Sequence, residues 1–207
     1  MNNQIKVIVF DLGRVLIDFD HQIAAKKIAA LTRKDPQQIF DLFFDSRLIQ
    51  SFERGKISPD DFFARVSRLL GLQLSFEQFL SIWNQIFFLS EENKSVYALG
   101  KSLKKNLRLA LLSNINVLHL DYLKLNFPVF DIFNDIFASC EMGFIKPEPE
   151  IYRRVISYLE VLPEEIFYVD DRPELIEASL KLGLRGFVFK GADQLKIDLI
   201  SCGVNFR

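Results

Sequence analysis

A short apolar run near the start of the chain, followed at once by a carboxylate, constrains the fold more than any other feature. Val7–Phe10 contains only β-branched and aromatic residues, which is typical of a strand buried on both faces. Such strands occur in parallel α/β sheets, whose ligands bind beyond the carboxyl ends of the strands. The position of Asp11 therefore favours a chemical role, and a turn cap formed together with Gly13 is the alternative.

Further strand-like runs follow later in the chain, and segments with helical spacing separate them. This alternation of strand and helix predicts an α/β fold with a five-stranded parallel sheet covered by helices. The predicted strands cover residues 5–10, 107–112, 135–139, 166–169 and 186–189.

A long helical stretch interrupts this alternation after the first strand. Helix start signals lie at Asp35-Pro36, Ser58-Pro59 and Ser75, and no strand of the parallel-sheet type is predicted between them. Because the stretch leaves from the carboxyl end of the first strand, it is expected to lie over that end as a lid. We predict a core formed by residues 1–17 and 93–207 and a small all-helical cap formed by residues 18–92.

Charge and hydropathy exclude several classes of partner. The net charge is -1 at pH 7, which does not favour binding to nucleic acid or to an anionic membrane surface. No apolar stretch reaches the roughly 18 residues that span a bilayer. The first residues do not have the pattern of a secretory signal. These features predict a cytoplasmic protein, and they leave its oligomeric state open.

Polar residues follow several of the predicted strands, and together they suggest phosphoryl transfer. Asp11 is a candidate nucleophile that would form an aspartyl-phosphate. Ser113 and the backbone amide of Asn114 are expected where a helix begins, so hydroxyl and amide donors would meet a phosphate oxygen at a positive helix end. Lys146 would neutralise charge that develops on the phosphoryl group.

A pair of carboxylates is predicted to lie near the candidate nucleophile. Asp170 and Asp171 directly follow the predicted strand at 166–169. Together with Asp11 they make three carboxylates, which would repel each other without a cation. Mg²⁺ is the natural choice, because it prefers oxygen ligands and keeps some of its waters.

Each of these features also has a simpler explanation. Ser113-Asn114 is a common helix cap, and Lys146 before a proline is compatible with a solvated loop lysine. Asp170-Asp171 is compatible with a cap for the next helix. The order of all these features at successive strand ends favours the chemical interpretation.

The motifs resemble those of the haloacid dehalogenase-like hydrolase superfamily, in the subgroup with a small helical cap after the first strand. The resemblance covers essentially the whole chain. The matching segments are FDLGRV (10–15), LLSN (111–114), GFIKPEPEIY (143–152), YVDDRP (168–173) and, in the helical stretch, FERGKIS (52–58).

The resemblance implies a Rossmann-like three-layer core, a cap that controls access, and Mg²⁺-dependent phosphatase activity. It assigns Asp11 as the nucleophile and a metal ligand. It assigns Ser113 and Lys146 as phosphate ligands, and Asp170 and Asp171 as metal carboxylates.

The first motif departs from the usual pattern of the superfamily at Gly13. A second aspartate usually stands there, and it protonates the leaving group and then activates water. The backbone carbonyl of Gly13 would still bind the metal. Loss of a general acid–base lowers a rate by roughly 10²–10⁴-fold, so slow turnover is expected unless Asp18, Asp20 or His21 replaces it. Arg14 either reaches the phosphate or points to solvent.

Three functions remain open at this point. The first is a phosphatase of small phosphorylated metabolites, which would favour aryl or acyl phosphates if nothing replaces the missing acid–base. The second is a haloacid dehalogenase, against which Asp170 and Asp171 argue because they would repel the substrate's carboxylate. The third is a non-catalytic module that binds a phosphometabolite or has a regulatory role.

Overall fold

The computed structural model describes residues 4–32, 34–44 and 46–205. The outer ends of the predicted core, at 1–3 and 206–207, lie outside these described residues. The strands are β1 (Val7–Phe10), β2 (Asp18–Phe19), β3 (Phe87–Phe88), β4 (Arg108–Ser113), β5 (Asp135–Ala138), β6 (Ile166–Asp170) and β7 (Arg185–Val188).

Helices connect the strands and cover the sheet. They are α1 (His21–Thr32), α2 (Pro36–Phe44), α3 (Arg47–Glu53), α4 (Pro59–Leu70), α5 (Phe76–Trp83), α6 (Glu91–Leu103), α7 (Val117–Asn126), α8 (Ser139–Met142), α9 (Pro149–Leu159), α10 (Pro173–Leu180) and α11 (Ala192–Ser201). Two short 3₁₀ helices lie at Pro128–Ile132 and Pro163–Glu165. None of the helices within the described ranges is long and apolar enough to cross a membrane.

The central sheet has five parallel strands in the order β5-β4-β1-β6-β7. The predicted α/β fold is therefore confirmed, with the first strand at its centre. Phe10 pairs with Leu111 on one side and with Val169 on the other. This register brings the carboxyl ends of β1, β4 and β6 to one edge of the sheet.

Alternate side chains of each central strand pack into two separate hydrophobic layers, which explains the uninterrupted apolar runs. Ile8 and Phe10 pack on one face with residues of α6, α7 and α11. Val7 and Val9 pack on the opposite face with residues of α9 and α10. This arrangement is the expected three-layer core.

Helices α1 to α5 pack around a third hydrophobic cluster. Its aromatic rings contact each other directly, and Phe52 stacks on Phe62 with 4.2 Å between ring centroids. Ser58 and Ser75 cap α4 and α5 as their sequence positions predict. One detail differs from the expected all-helical stretch, because β2 and β3 form a small antiparallel pair. Two-residue strands are too short to leave a periodic pattern in a sequence.

Candidate active site

The carboxyl edge of the sheet opens into a cavity of about 260 Å³. The strand register and the loop before α9 bring most of the predicted polar residues to this cavity. The predicted residues that line it are Asp11, Gly13, Ser113, Asn114, Lys146 and Asp171. Asp170 is fully buried directly beneath them.

Lys146 lies at the centre of this group and is buried, with 3% of its surface exposed. Its Nζ donates to Oδ1 of Asp11 and to Oδ2 of Asp170, at 2.7 Å in both cases. It also donates to the backbone carbonyl of Leu112 at 3.1 Å. Burial alone would lower the pKa of Lys146, but the two carboxylates outweigh it and raise that pKa. The interpretation of Lys146 as a solvated loop lysine is therefore wrong.

Asn114 fixes the backbone of Lys146 through its side chain. Oδ1 of Asn114 accepts from the backbone N–H of Lys146 at 2.7 Å, and Nδ2 donates to the carbonyl of Lys146 at 2.9 Å. The alternative that Ser113-Asn114 caps a helix is wrong, because α7 begins at Val117 with Asn116 as its cap. The side chain of Asn114 is thus committed to positioning Lys146, a contact that sequence reasoning missed.

We expect the substitution Asn114→Ala to lower the free energy of unfolding by about 1–3 kcal/mol. It removes the partner of both backbone groups of Lys146 in a partly buried place. Urea unfolding measures the loss, with Asn106→Ala as a matched control at an exposed position. Equal stability of the two variants would contradict this role for Asn114.

The three aspartates form one compact acidic cluster. One carboxylate oxygen from each of Asp11, Asp170 and Asp171 lies within 4.8 Å of the others. Burial raises the pKa of Asp11 and of Asp171, and the charge of Asp170 adds to both effects. An oxygen-only donor set of this size and charge fits a hard divalent cation such as Mg²⁺.

Asp170 is held firmly in this cluster. Burial tends to raise its pKa, but Lys146 and hydrogen bonds from Tyr168 and the backbone N–H of Arg172 lower it overall. Helix α10 begins at Pro173 with Arg172 as its cap residue, and no side chain caps it. The alternative that Asp170-Asp171 forms a helix cap is therefore wrong.

Gly13 lies directly against the ring of Phe19. A Cβ atom built at Gly13 would lie 2.9 Å from Cε1 of Phe19. The guanidinium of Arg14 covers the same ring at 4.4 Å from its centroid, and its Nη1 lies 3.7 Å from Oδ1 of Asp18. Arg14 thus lies over Phe19 at the cavity wall, and the space beside Gly13 is filled by an aromatic ring.

We expect Gly13→Ala to destabilise the protein by about 1–3 kcal/mol, because the ring of Phe19 must move to admit the new methyl group. The φ angle of Gly13 lies outside the left-handed region, so backbone strain adds nothing. In a Phe19→Leu background the same change should cost much less. A double-mutant cycle by urea unfolding measures this coupling, and additive effects would contradict the steric explanation.

Several residues that line the cavity were not predicted for this site. Phe19 and Phe87 come from the β2–β3 pair, and Glu53 comes from the last turn of α3. His119 is buried, and its ring contacts the backbone carbonyl of Trp83 at 3.3 Å. The available signal for Glu53 was its place in the FERGKIS segment, immediately before Arg54 and a glycine turn.

Comparisons with known proteins identify the family of this chain. A sequence profile described as haloacid dehalogenase-like hydrolase matches residues 5–183. D-ribitol-5-phosphate phosphatase from Bacteroides thetaiotaomicron is 31% identical, over 88% of this chain and 91% of its own. A sesquiterpene phosphatase from Aspergillus oryzae is 26% identical, over 87% and 88% of the two chains.

Solved structures show the same likeness. A HAD family enzyme from Bacteroides thetaiotaomicron, in complex with magnesium and inorganic phosphate, superposes with a TM-score of 0.80 and 28% identity, over 90% of this chain and 94% of that one. The L-2-haloacid dehalogenase from Xanthobacter autotrophicus shares the fold, with a TM-score of 0.63 and 20% identity over 96% and 83%. From the extent of the profile match and the identity to the first relative, this protein belongs to the haloacid dehalogenase-like hydrolase family.

Proposed function

We propose that this protein is a Mg²⁺-dependent phosphatase that hydrolyses small phosphorylated metabolites through an aspartyl-phosphate on Asp11. One observation carries the proposal, namely the convergence of a buried carboxylate, a buried lysine and two further carboxylates on one small cavity. Relatives that match most of the chain are named as phosphatases, which supports the same class of reaction.

Asp11 and Lys146 would carry the chemistry of phosphoryl transfer. One carboxylate oxygen of Asp11 attacks phosphorus while the bond to the leaving oxygen breaks, and water later cleaves the phosphoryl group from Asp11. Lys146 already contacts Asp11, so its charge lies where negative charge develops on the phosphoryl oxygens. Ser113 and the backbone amide of Asn114 would bind the same oxygens, while the Asn114 side chain holds Lys146 in place.

The acidic cluster would hold the metal. The carboxylates of Asp11, Asp170 and Asp171 would bind Mg²⁺, together with the backbone carbonyl of Gly13, which lines the same cavity. When bound, Mg²⁺ offsets the charge of the phosphoryl group and helps to align it with the nucleophile. All other groups in the proposed site are side chains and backbone groups of the protein itself.

Residues 18–92 would form a cap that controls access to the cavity. Their contribution to the cavity wall includes Phe19, His21, Glu53 and Phe87, beside the core residues. The cavity is small, so its substrate is a small phosphate ester and its specificity would come from these cap side chains. No nucleic-acid or membrane partner is proposed, and we retain the cytoplasmic assignment as a prediction.

A screen of phosphate monoesters with and without Mg²⁺ tests this function. We expect phosphate release with Mg²⁺ and its loss when a chelator removes the cation. Halide release from a 2-haloacid without Mg²⁺ would instead favour a dehalogenase. Tight binding of inorganic phosphate without turnover of any ester would favour the non-catalytic alternative.

A further inference from the structure

Glu53 is a carboxylate that the cap places at the cavity, and the mechanism above does not use it. It ends α3 and lines the same cavity as Asp11, Ser113 and Lys146. Its neighbours in sequence contact the core, so the backbone of Glu53 is held in place beside the cavity.

Three contacts hold this end of α3 against the core. The hydroxyl of Ser139 donates to the backbone carbonyl of Glu53 at 2.7 Å, and Ser139 is completely buried. Nη2 of Arg54 lies 2.8 Å from Oε1 of Glu148. A Cβ atom at Gly55 would collide with the backbone carbonyl of Cys140, so the turn approaches as closely as only glycine permits.

The other candidates for an acid–base group are less suitable. Oδ1 of Asp20 accepts from the backbone N–H of Gln22 at the start of α1, on an exposed part of the surface. Asp18 lies beside the guanidinium of Arg14. Burial and the charges of His119 and Arg14 lower the pKa of His21 to about 3, so His21 is neutral near pH 7 and has no acidic ring proton to give.

We infer that Glu53, a residue of the cap, is the general acid and base of the reaction. It takes the role of the aspartate that is absent at position 13. The inference rests on the proposed phosphatase function. When Asp11 attacks phosphorus, the bond from phosphorus to the leaving oxygen breaks and the protonated Glu53 carboxyl transfers its proton to that oxygen. When water then attacks the phosphoryl group, Glu53 takes the water's proton, the bond to Asp11 breaks, and phosphate leaves.

The electrostatics of Glu53 suit this double role. Burial raises its pKa to about 7, although the positive charges of Arg54, Arg172 and Lys146 lower it in part. A group with a pKa near the working pH donates and accepts a proton with similar ease. The cavity also contains Asp11, Asp171, Arg14, His21 and His119, and burial lowers the pKa of His119 to about 3 as well.

The substitution Glu53→Gln keeps the size of the side chain and removes its proton. With an alkyl phosphate, we expect kcat/KM to fall by roughly 10²–10⁴-fold, because the leaving alkoxide needs a proton. With p-nitrophenyl phosphate, the leaving phenolate needs none, so the first step should remain fast. Only the later attack by water is then slowed, which produces a burst of p-nitrophenolate close to one per enzyme molecule.

The pH profile gives a second readout that a purely structural role would not change. The protonated fraction of Glu53 falls as pH rises through about 7. Wild-type kcat/KM for the alkyl phosphate should therefore decline above that pH, and this decline should be absent in Glu53→Gln. Glu77→Gln, an exposed glutamate on cap helix α5, is the matched control and should behave like the wild type.

The possible outcomes separate the two proposals. An active wild type whose rates are unchanged by Glu53→Gln, or lowered equally for both substrates without a burst, overturns the role of Glu53 alone. A wild type that hydrolyses no phosphate ester in the presence of Mg²⁺ overturns the phosphatase function, and the role of Glu53 falls with it.

Discussion

Asp11→Asn is expected to abolish phosphate release, with a loss of roughly 10⁴–10⁶-fold in kcat. An amide oxygen is a poor nucleophile, and the variant cannot form the aspartyl-phosphate on which the proposed reaction depends. The carboxylate of Asp11 lies 2.7 Å from Nζ of Lys146 and lines the cavity, whereas Asp170, which contacts the same Nζ, is fully buried.

Two measurements distinguish a lost nucleophile from a damaged site. Urea unfolding shows whether the variant still folds, and acid-quenched mass spectrometry shows whether the wild type, but not the variant, carries a phosphoryl group. Asp121→Asn, which changes an exposed aspartate on α7, is the matched control and should retain full activity. Substantial turnover by a folded Asp11→Asn variant would exclude Asp11 as the nucleophile.

The sequence predicts the parallel sheet, and the edge at which its polar residues meet, for a physical reason. A strand buried on both faces must be continuously apolar, so a carboxylate such as Asp11 or Asp170 marks the point where the chain leaves the core. Parallel pairing then brings these points to one edge, as the register of Phe10 with Val169 shows. Patterns of neighbouring residues therefore suffice to predict the fold and the positions of most polar residues at the site.

Contacts between distant segments are what the sequence does not reveal. The packing of Phe19 against Gly13 requires the β2–β3 pair, which is too short to have a pattern. The position of Glu53 depends on docking contacts with Ser139 and Glu148, far away along the chain. These contacts form only once residues 18–92 have packed on the rest of the protein, so no pattern of neighbouring residues predicts them.

Lys146→Met is expected to lower the free energy of unfolding by about 3–5 kcal/mol. The substitution keeps an unbranched side chain of similar length. It removes the positive charge of Lys146, whose side chain is only 2% exposed. Asp11 and Asp170 then lie close together without the lysine ammonium group that bridges them. Breaking a buried ion pair from one side is costly because the remaining charge has neither water nor partner.

Mg²⁺ provides the critical test of this explanation. At a given concentration, a cation that binds only the folded protein stabilises it more when it binds more tightly. Without Lys146 the cluster of Asp11, Asp170 and Asp171 is more negative, so Mg²⁺ should raise the stability of Lys146→Met more than that of the wild type. Urea unfolding with and without Mg²⁺ measures the difference, with Lys105→Met as the exposed control. If Mg²⁺ stabilised both proteins equally, the lost stability would reflect packing rather than uncompensated charge, and the lysine would not be the counter-ion of this cluster.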